Sequence, residues 1–162
     1  MSRRHVGILP CVLLILCTLS AFAQAPPKAY GSPIGVENAK KIAAVALAES
    51  KKNNWYMAVA VVDPSGTLVY YEKMDNTQTG SATVAIAKAR SAALFKRPTK
   101  VFEDAVAGGG AGLRVLAVPG AIPVEGGVPL IIDDKIVGAV GVSGDSSDHD
   151  GICAKATAEA LK

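Results

Sequence analysis

Two apolar runs in this chain end in turns whose chemistry leaves little choice of direction. Residues 56–62 (YMAVAVV) are too apolar for a surface strand. They lead into Asp63-Pro64-Ser65-Gly66, where proline presets φ and glycine tolerates positive φ. The β-rich residues 67–73 (TLVYYEK) follow, and together the two runs predict a hairpin. Residues 128–132 and 135–142 flank Asp133-Asp134 in the same way. Two hairpins imply a largely antiparallel sheet carrying helices, an α+β fold.

The intervening segments supply those helices. In residues 36–53, Val36, Ala39, Ala43, Ala46 and Leu47 recur at three- and four-residue spacing, while the lysines fall largely elsewhere. A second helix is expected from Ser81, its candidate cap, to about Lys96. It is rich in alanine, which lets a helix lie close to a sheet, and Pro98 ends it. Thr99 is a candidate cap for a short helix through Ala107. Gly108 to Gly112 reads as a flexible loop, and residues 115–118 and 121–124 as short extended pieces around Pro119-Gly120. A last helix is expected from Asp148 to Leu161, capped by Ser146 or Ser147. The expected order is α-β-β-α-α-β-β-β-α in a single domain, with about five strands and no internal repeat.

The N-terminus has the form of an export signal. Arg3 and Arg4 precede a leucine-rich run from Val6 to about Leu19, and Ala21-Phe22-Ala23 fits a signal-peptidase site. The run is shorter than the ~20 residues a membrane-spanning helix needs. Residues 1–23 therefore read as a signal peptide, residues 24–34 (QAPPKAYGSPI) as a flexible lead-in, and 35–162 as the domain, in a periplasmic or secreted protein. Ser2-Arg3-Arg4 leaves the twin-arginine route open beside general secretion. The formal net charge of +3 falls to about +1 once Arg3 and Arg4 leave, and no basic run with interleaved aromatics supports nucleic-acid binding. No second apolar segment is long enough to span a membrane. Cys11 and Cys17 leave with the signal, so Cys153 has no partner for an intramolecular disulfide and reads as a buried helix residue among alanines.

Five ordered motifs carry a resemblance. They are Ala60-Val61-Val62-Asp63-x-x-Gly66, Lys88-Ala89-Arg90-x-Ala92-Ala93, Arg97-Pro98-Thr99, Val124-x-Gly126-Gly127-Val128-Pro129 and Gly138-Ala139-x-Gly141-Val142-Ser143-Gly144. In this order they resemble the GlcG/HbpS-like family, also called the haem-degrading domain family, over nearly the whole chain beyond the lead-in. The resemblance implies a central antiparallel sheet flanked by helices and assembly into homo-oligomers. It also implies haem or iron binding in some members, with roles in haem handling or redox sensing. It constrains the fold more tightly than the function.

Haem iron usually takes His, Cys, Met or Tyr. His149 is the one imidazole beyond the signal and the candidate iron ligand, although the carboxylates around it favour a protonated ring that competes with metal. Met74, Tyr70, Tyr71 and Thr99 are weaker candidates, each with an ordinary strand, core or cap role. Haem propionates or another organic acid need cations, for which Lys88, Arg90, Arg97 and Arg114 are available, unless they simply form a solvated face. Arg90 and Arg97, seven apart, share a face if the helix extends that far, and this pair is the chosen anion site. Glu125, before Gly126-Gly127, is the candidate acid–base residue, with the two glycines giving a ligand access to backbone. The 108–112 glycines match neither a dinucleotide fingerprint nor a P-loop, and the acids from Asp145 to Asp150 fail EF-hand spacing.

The expected function is haem or tetrapyrrole binding without turnover, in a pocket between the long helix and the sheet. An enzyme or enzyme accessory acting on an organic acid through Glu125 is the first alternative. An oligomeric scaffold without a small ligand is the second.

Overall fold

The structure, a computed structural model, describes residues 28–160. The expected signal peptide, the start of the lead-in and the helix end at Leu161 lie outside the described residues. The architecture follows from β1 (Ala58–Val62), in which every residue is buried. Strand side chains alternate between faces, so a strand buried throughout must be covered on both. Val59 and Val61 pack with α1 (Val36–Lys52) and with Cys153 and Ala154 of α4 (Ser147–Glu159). Ala58, Ala60 and Val62 pack with Ala85, Ala89, Ala92 and Ala93 of α2 (Ser81–Phe95). The sheet is thus the middle of three layers.

Its order is β2-β1-β4-β3, antiparallel throughout, with β2 (Leu68–Lys73), β3 (Gly127–Ile132) and β4 (Lys135–Ser143). Both expected hairpins form. Asp63 N–H donates to Thr67 O at 2.9 Å, and Gly66 takes φ 83°. Asp133 and Asp134 both take positive φ (48° and 61°), the geometry a two-residue hairpin turn requires. Ahead of α1, Gly31 and Ile34 N–H donate to Ile136 and Val137 carbonyls, and Ile34 joins the core.

Four strands form, not about five. Residues 110–117 (Gly110–Ala117) are a 3-10 helix instead of a loop and an extended piece, and residues 121–124 are irregular. The glycines there serve packing: Gly109 and Gly110 turn the chain at positive φ, and a Cβ on Gly112 would lie 1.8 Å from Ala105 O of α3 (Lys100–Ala107). A segment docked on α3 in this way is not free to join the sheet. Ser81 does not cap α2. The N-cap is Gly80, and Ser81, buried, places its hydroxyl 3.3 Å from that of Ser143. Ser146 is the cap of α4, accepting His149 N–H at 3.3 Å. Val36 heads α1 but stays exposed, its place on the buried face taken by Ile42.

The α2 face of the sheet is built of alanine and glycine, and the helix lies directly on it. A Cβ on Gly141 would lie 2.0 Å from Ala85 O and 2.5 Å from Ala89 N, both backbone atoms. Gly141→Ala must push helix and sheet apart, so chemical denaturation should show a loss of about 3 kcal/mol or more, at the upper end of overpacking costs.

Candidate functional site

The hydrogen-bonded pairing of β3 with β4 begins at Gly127 opposite Gly141. Beyond it the chain turns through Glu125 and Gly126, which accepts Val142 N–H at 2.9 Å. Lys88 of α2 fills the opening that results. Its ammonium donates to Asp150 Oδ2 of α4 at 2.6 Å and to Val142 O at 3.2 Å, and both ionic side chains are almost wholly buried (1% and 3% exposed). Burial pushes the Asp150 carboxyl up from its ordinary value, and the Lys88 charge acts against that shift.

The glycines expected to give a ligand access serve this crossing. Gly126 takes φ 125°, and a Cβ there would lie 2.6 Å from Val142 O and 3.0 Å from Lys88 Nζ. A Cβ on Gly127 would lie 2.4 Å from Lys88 O and 2.6 Å from Thr99 Cγ2. Thr99 stands at the N-cap position of α3 but does not cap it with its side chain. Its N–H donates to Gly127 O (3.0 Å), and its Oγ1 accepts Gly127 N–H (2.9 Å). This two-bond clasp holds the start of β3 to α3. Thr99, Gly126 and Gly127 are therefore together, buried, and bonded within the fold.

Glu125 is also buried, with its side chain 5% exposed. Its N–H donates to Glu103 Oε2 of α3 at 2.6 Å. Lys155 Nζ approaches Glu125 Oε1 to 2.6 Å, an ion pair, yet off the direction of a hydrogen bond. That oxygen accepts none from the described residues. Gly151 makes the room, since a Cβ there would lie 2.3 Å from Oε1. Glu103, Glu125 and Asp148 bring one oxygen each within 4.8 Å of one another.

The arginines do not join this cluster. Arg90 lies on the outer face of α2 in a stripe with Thr83, Ile86, Ala87 and Leu94, spaced as one helical face. With Gly120 and Ile122 they line a largely aliphatic groove of about 360 Å³. Ser91 Oγ fixes the far wall by accepting Ile122 N–H at 3.1 Å. Arg90 Nε donates to Gly66 O at 3.0 Å. The expected pairing of Arg90 with Arg97 does not occur: α2 stops at Phe95, Lys96 turns left-handed (φ 56°), and Arg97 lies beyond the helix with its Nε on Phe95 O. A pocket between α2 and the sheet is likewise absent among the described residues, because alanine and glycine close that space.

His149 lies on the opposite side of the sheet. Its ring stacks on Trp55 at 3.9 Å, nearly parallel, and Nδ1 is 3.1 Å from Asp145 Oδ1. Ser146 N–H and then His149 hold the Asp145 carboxyl below its ordinary value. The Met74 sulfur accepts bonds from Ser50 Oγ and Met57 N–H, and Tyr70 donates to Glu72. Cys153 is buried as expected, and burial above all pushes its thiol up to about 12.

Sequence reasoning missed the buried pairing of Lys88 with Asp150 and the contact of the half-buried Glu103 with the Glu125 N–H. One signal was available for Lys88, which recurs with Ala85 and Ala92 at helical spacing in the stripe that faces the sheet.

Residues 34–159 match the family described as haem degrading protein HbpS-like. Protein GlcG of Escherichia coli (strain K12) is 40% identical over 105 residues, 65% of this chain and 77% of that protein. A double mutant of Streptomyces reticuli HbpS has a TM-score of 0.73 at 28% identity, covering 86% of this chain and 99% of its own. A PduOC:heme complex has a TM-score of 0.71 at 23% identity, covering 80% and 96%.

Two outcomes follow from this geometry. Lys88→Met should cost about 3–5 kcal/mol in chemical denaturation by leaving Asp150 buried without its cation, and adding Asp150→Leu should recover at least half of the loss. Native Cys153 should stay inert to a thiol reagent at pH 8 and react fully only in denaturant.

Proposed function

The chain belongs to the HbpS-like family of haem-degrading proteins, and on that premise we propose that it is an exported protein that binds haem or a related tetrapyrrole in the groove on the outer face of α2. The observation that carries this reading is an aliphatic groove with a single cation among its lining residues. A tetrapyrrole has an apolar body and carboxylate substituents. Ile86, Leu94 and Ile122 suit the body, and the Arg90 guanidinium suits a carboxylate. The Arg90 terminal nitrogens make no hydrogen bond to the described residues, so they are available to a ligand.

The lining residues contribute no imidazole, sulfur or carboxylate. That donor set supports holding the ligand without turning it over, and Thr83 supplies the one hydroxyl among the lining residues. Haem bound there would supply its own iron chemistry, while this chain's residues would bind and orient it. The groove encloses only part of so large a ligand. Val84, Leu94, Leu116 and Val118 are exposed apolar residues on α2 and on the segment leading to Gly120, and a second copy of the chain covering them would complete the enclosure. This supports the homo-oligomer that the sequence motifs imply. Export rests on the signal pattern of residues 1–23.

The test is a hemin titration of the purified protein from Gln24 onward, followed by absorbance. A saturable Soret band near one haem per chain is expected. Arg90→Ala should weaken binding about tenfold, the scale of one charge-assisted contact. Leu94→Asp should weaken it further, and His149→Ala should leave it unchanged. A non-saturating response sinks the haem reading, whereas full affinity in Arg90→Ala moves the ligand elsewhere.

A further inference from the structure

The acidic cluster beside α4 is apart from the groove, and the haem reading makes no use of it. We propose that Glu103, Glu125 and Asp148 form a binding site for one hard divalent cation, and that Lys155 is the tethered charge that competes for it. The three carboxylates come from three separate elements, α3, the approach to β3 and the first turn of α4, yet each contributes an oxygen to a cluster within 4.8 Å. Carboxylates at that separation repel strongly unless a cation lies among them.

A second observation makes this more than a patch of surface acid. Glu125 is about nineteen-twentieths buried, and its Oε1 accepts no hydrogen bond from the described residues. An ionised oxygen removed from water without a donor is costly, and a metal ion satisfies it without needing one. Lys155 meets the charge but not the geometry: its ammonium is 2.6 Å away, off the hydrogen-bond direction, on a side chain that is 60% exposed and free to swing out. On the other side Lys100 lies 3.7 Å from Glu103 Oε1 and also pairs with Asp104. The two lysines leave the three carboxylates undercompensated, and exchanging one ammonium for a divalent ion corrects this.

The donor set selects the kind of ion. Oxygen-only ligation favours Mg²⁺, Mn²⁺ or Ca²⁺ over ions that prefer imidazole or thiolate. Asp148 is exposed, which leaves an entry side and room for water ligands. The Glu125 N–H bond to Glu103 Oε2 fixes the orientation of Glu103, as an outer partner does for a metal ligand.

Mn²⁺ is the probe. In the haem-free protein, loss of the free-ion electron paramagnetic resonance signal should saturate near one Mn²⁺ per chain, with Kd on the order of 10–100 µM. Asp148→Asn, at an exposed position, should weaken binding at least tenfold without shifting thermal unfolding, and Glu125→Gln should do the same to binding. Lys155→Gln should tighten it severalfold by removing the competitor. Bound Mn²⁺ should also broaden the amide NMR signals of Glu103, Glu125 and Asp148 before others. Non-saturating binding, or unchanged affinity in Asp148→Asn, overturns the site. Weaker binding in Lys155→Gln overturns the competitor role. None of these outcomes bears on the hemin titration, so the two readings fail separately.

Discussion

The Lys88–Asp150 ion pair governs the layout of the molecule more than any other contact. It joins α2, on one side of the sheet, to α4, on the other, through the opening where β3 begins. A buried ion pair is poor evidence of stability, because removing two charges from water costs several kcal/mol per ion before their attraction offsets it. Its value here is positional. An ammonium on a four-carbon stem has one carboxylate to find, and finding it sets the distance between two helices that otherwise meet only different faces of the sheet. The glycines follow from it. Gly126 has no side chain because Lys88 Nζ and Asp150 pass there, and Gly127 has none because α2 and Thr99 close on it.

Much of this was legible in the chain. Both hairpins, all four helices and the alanine face of α2 follow from turn chemistry and periodicity, since these are local properties of the backbone. The extended segment assigned to residues 115–118 failed because four-residue apolar runs carry no period long enough to separate strand from 3-10 helix. The contact that decided the matter, Gly112 on the Ala105 carbonyl, is tertiary. The candidate site was read unevenly for the same reason. Glu125, Gly126, Gly127 and Thr99 do come together, but Thr99 and the two glycines are taken up by contacts within the fold. Lys88 looked like surface charge because a lysine on a helix usually is, and its partner lies 62 residues away.

The two sides of the sheet now carry different chemistry. One has an aliphatic groove with a single arginine, suited to a flat apolar acid. Across the molecule, α4 opens with acids, a stacked imidazole and a glycine that makes room for Glu125. Family membership sets the scaffold common to both, whereas the proposals for each rest on side chains that the scaffold does not dictate.

The stacking of His149 on Trp55 has an optical consequence. Trp55 is the chain's one tryptophan, placed just before β1, and the ring against it is one residue from Asp148. Indole emission responds to a ring stacked against it, and it changes when that ring moves away. The intrinsic fluorescence of the protein therefore acts as a native gauge of the first turn of α4, reporting its seating against the sheet without an added label.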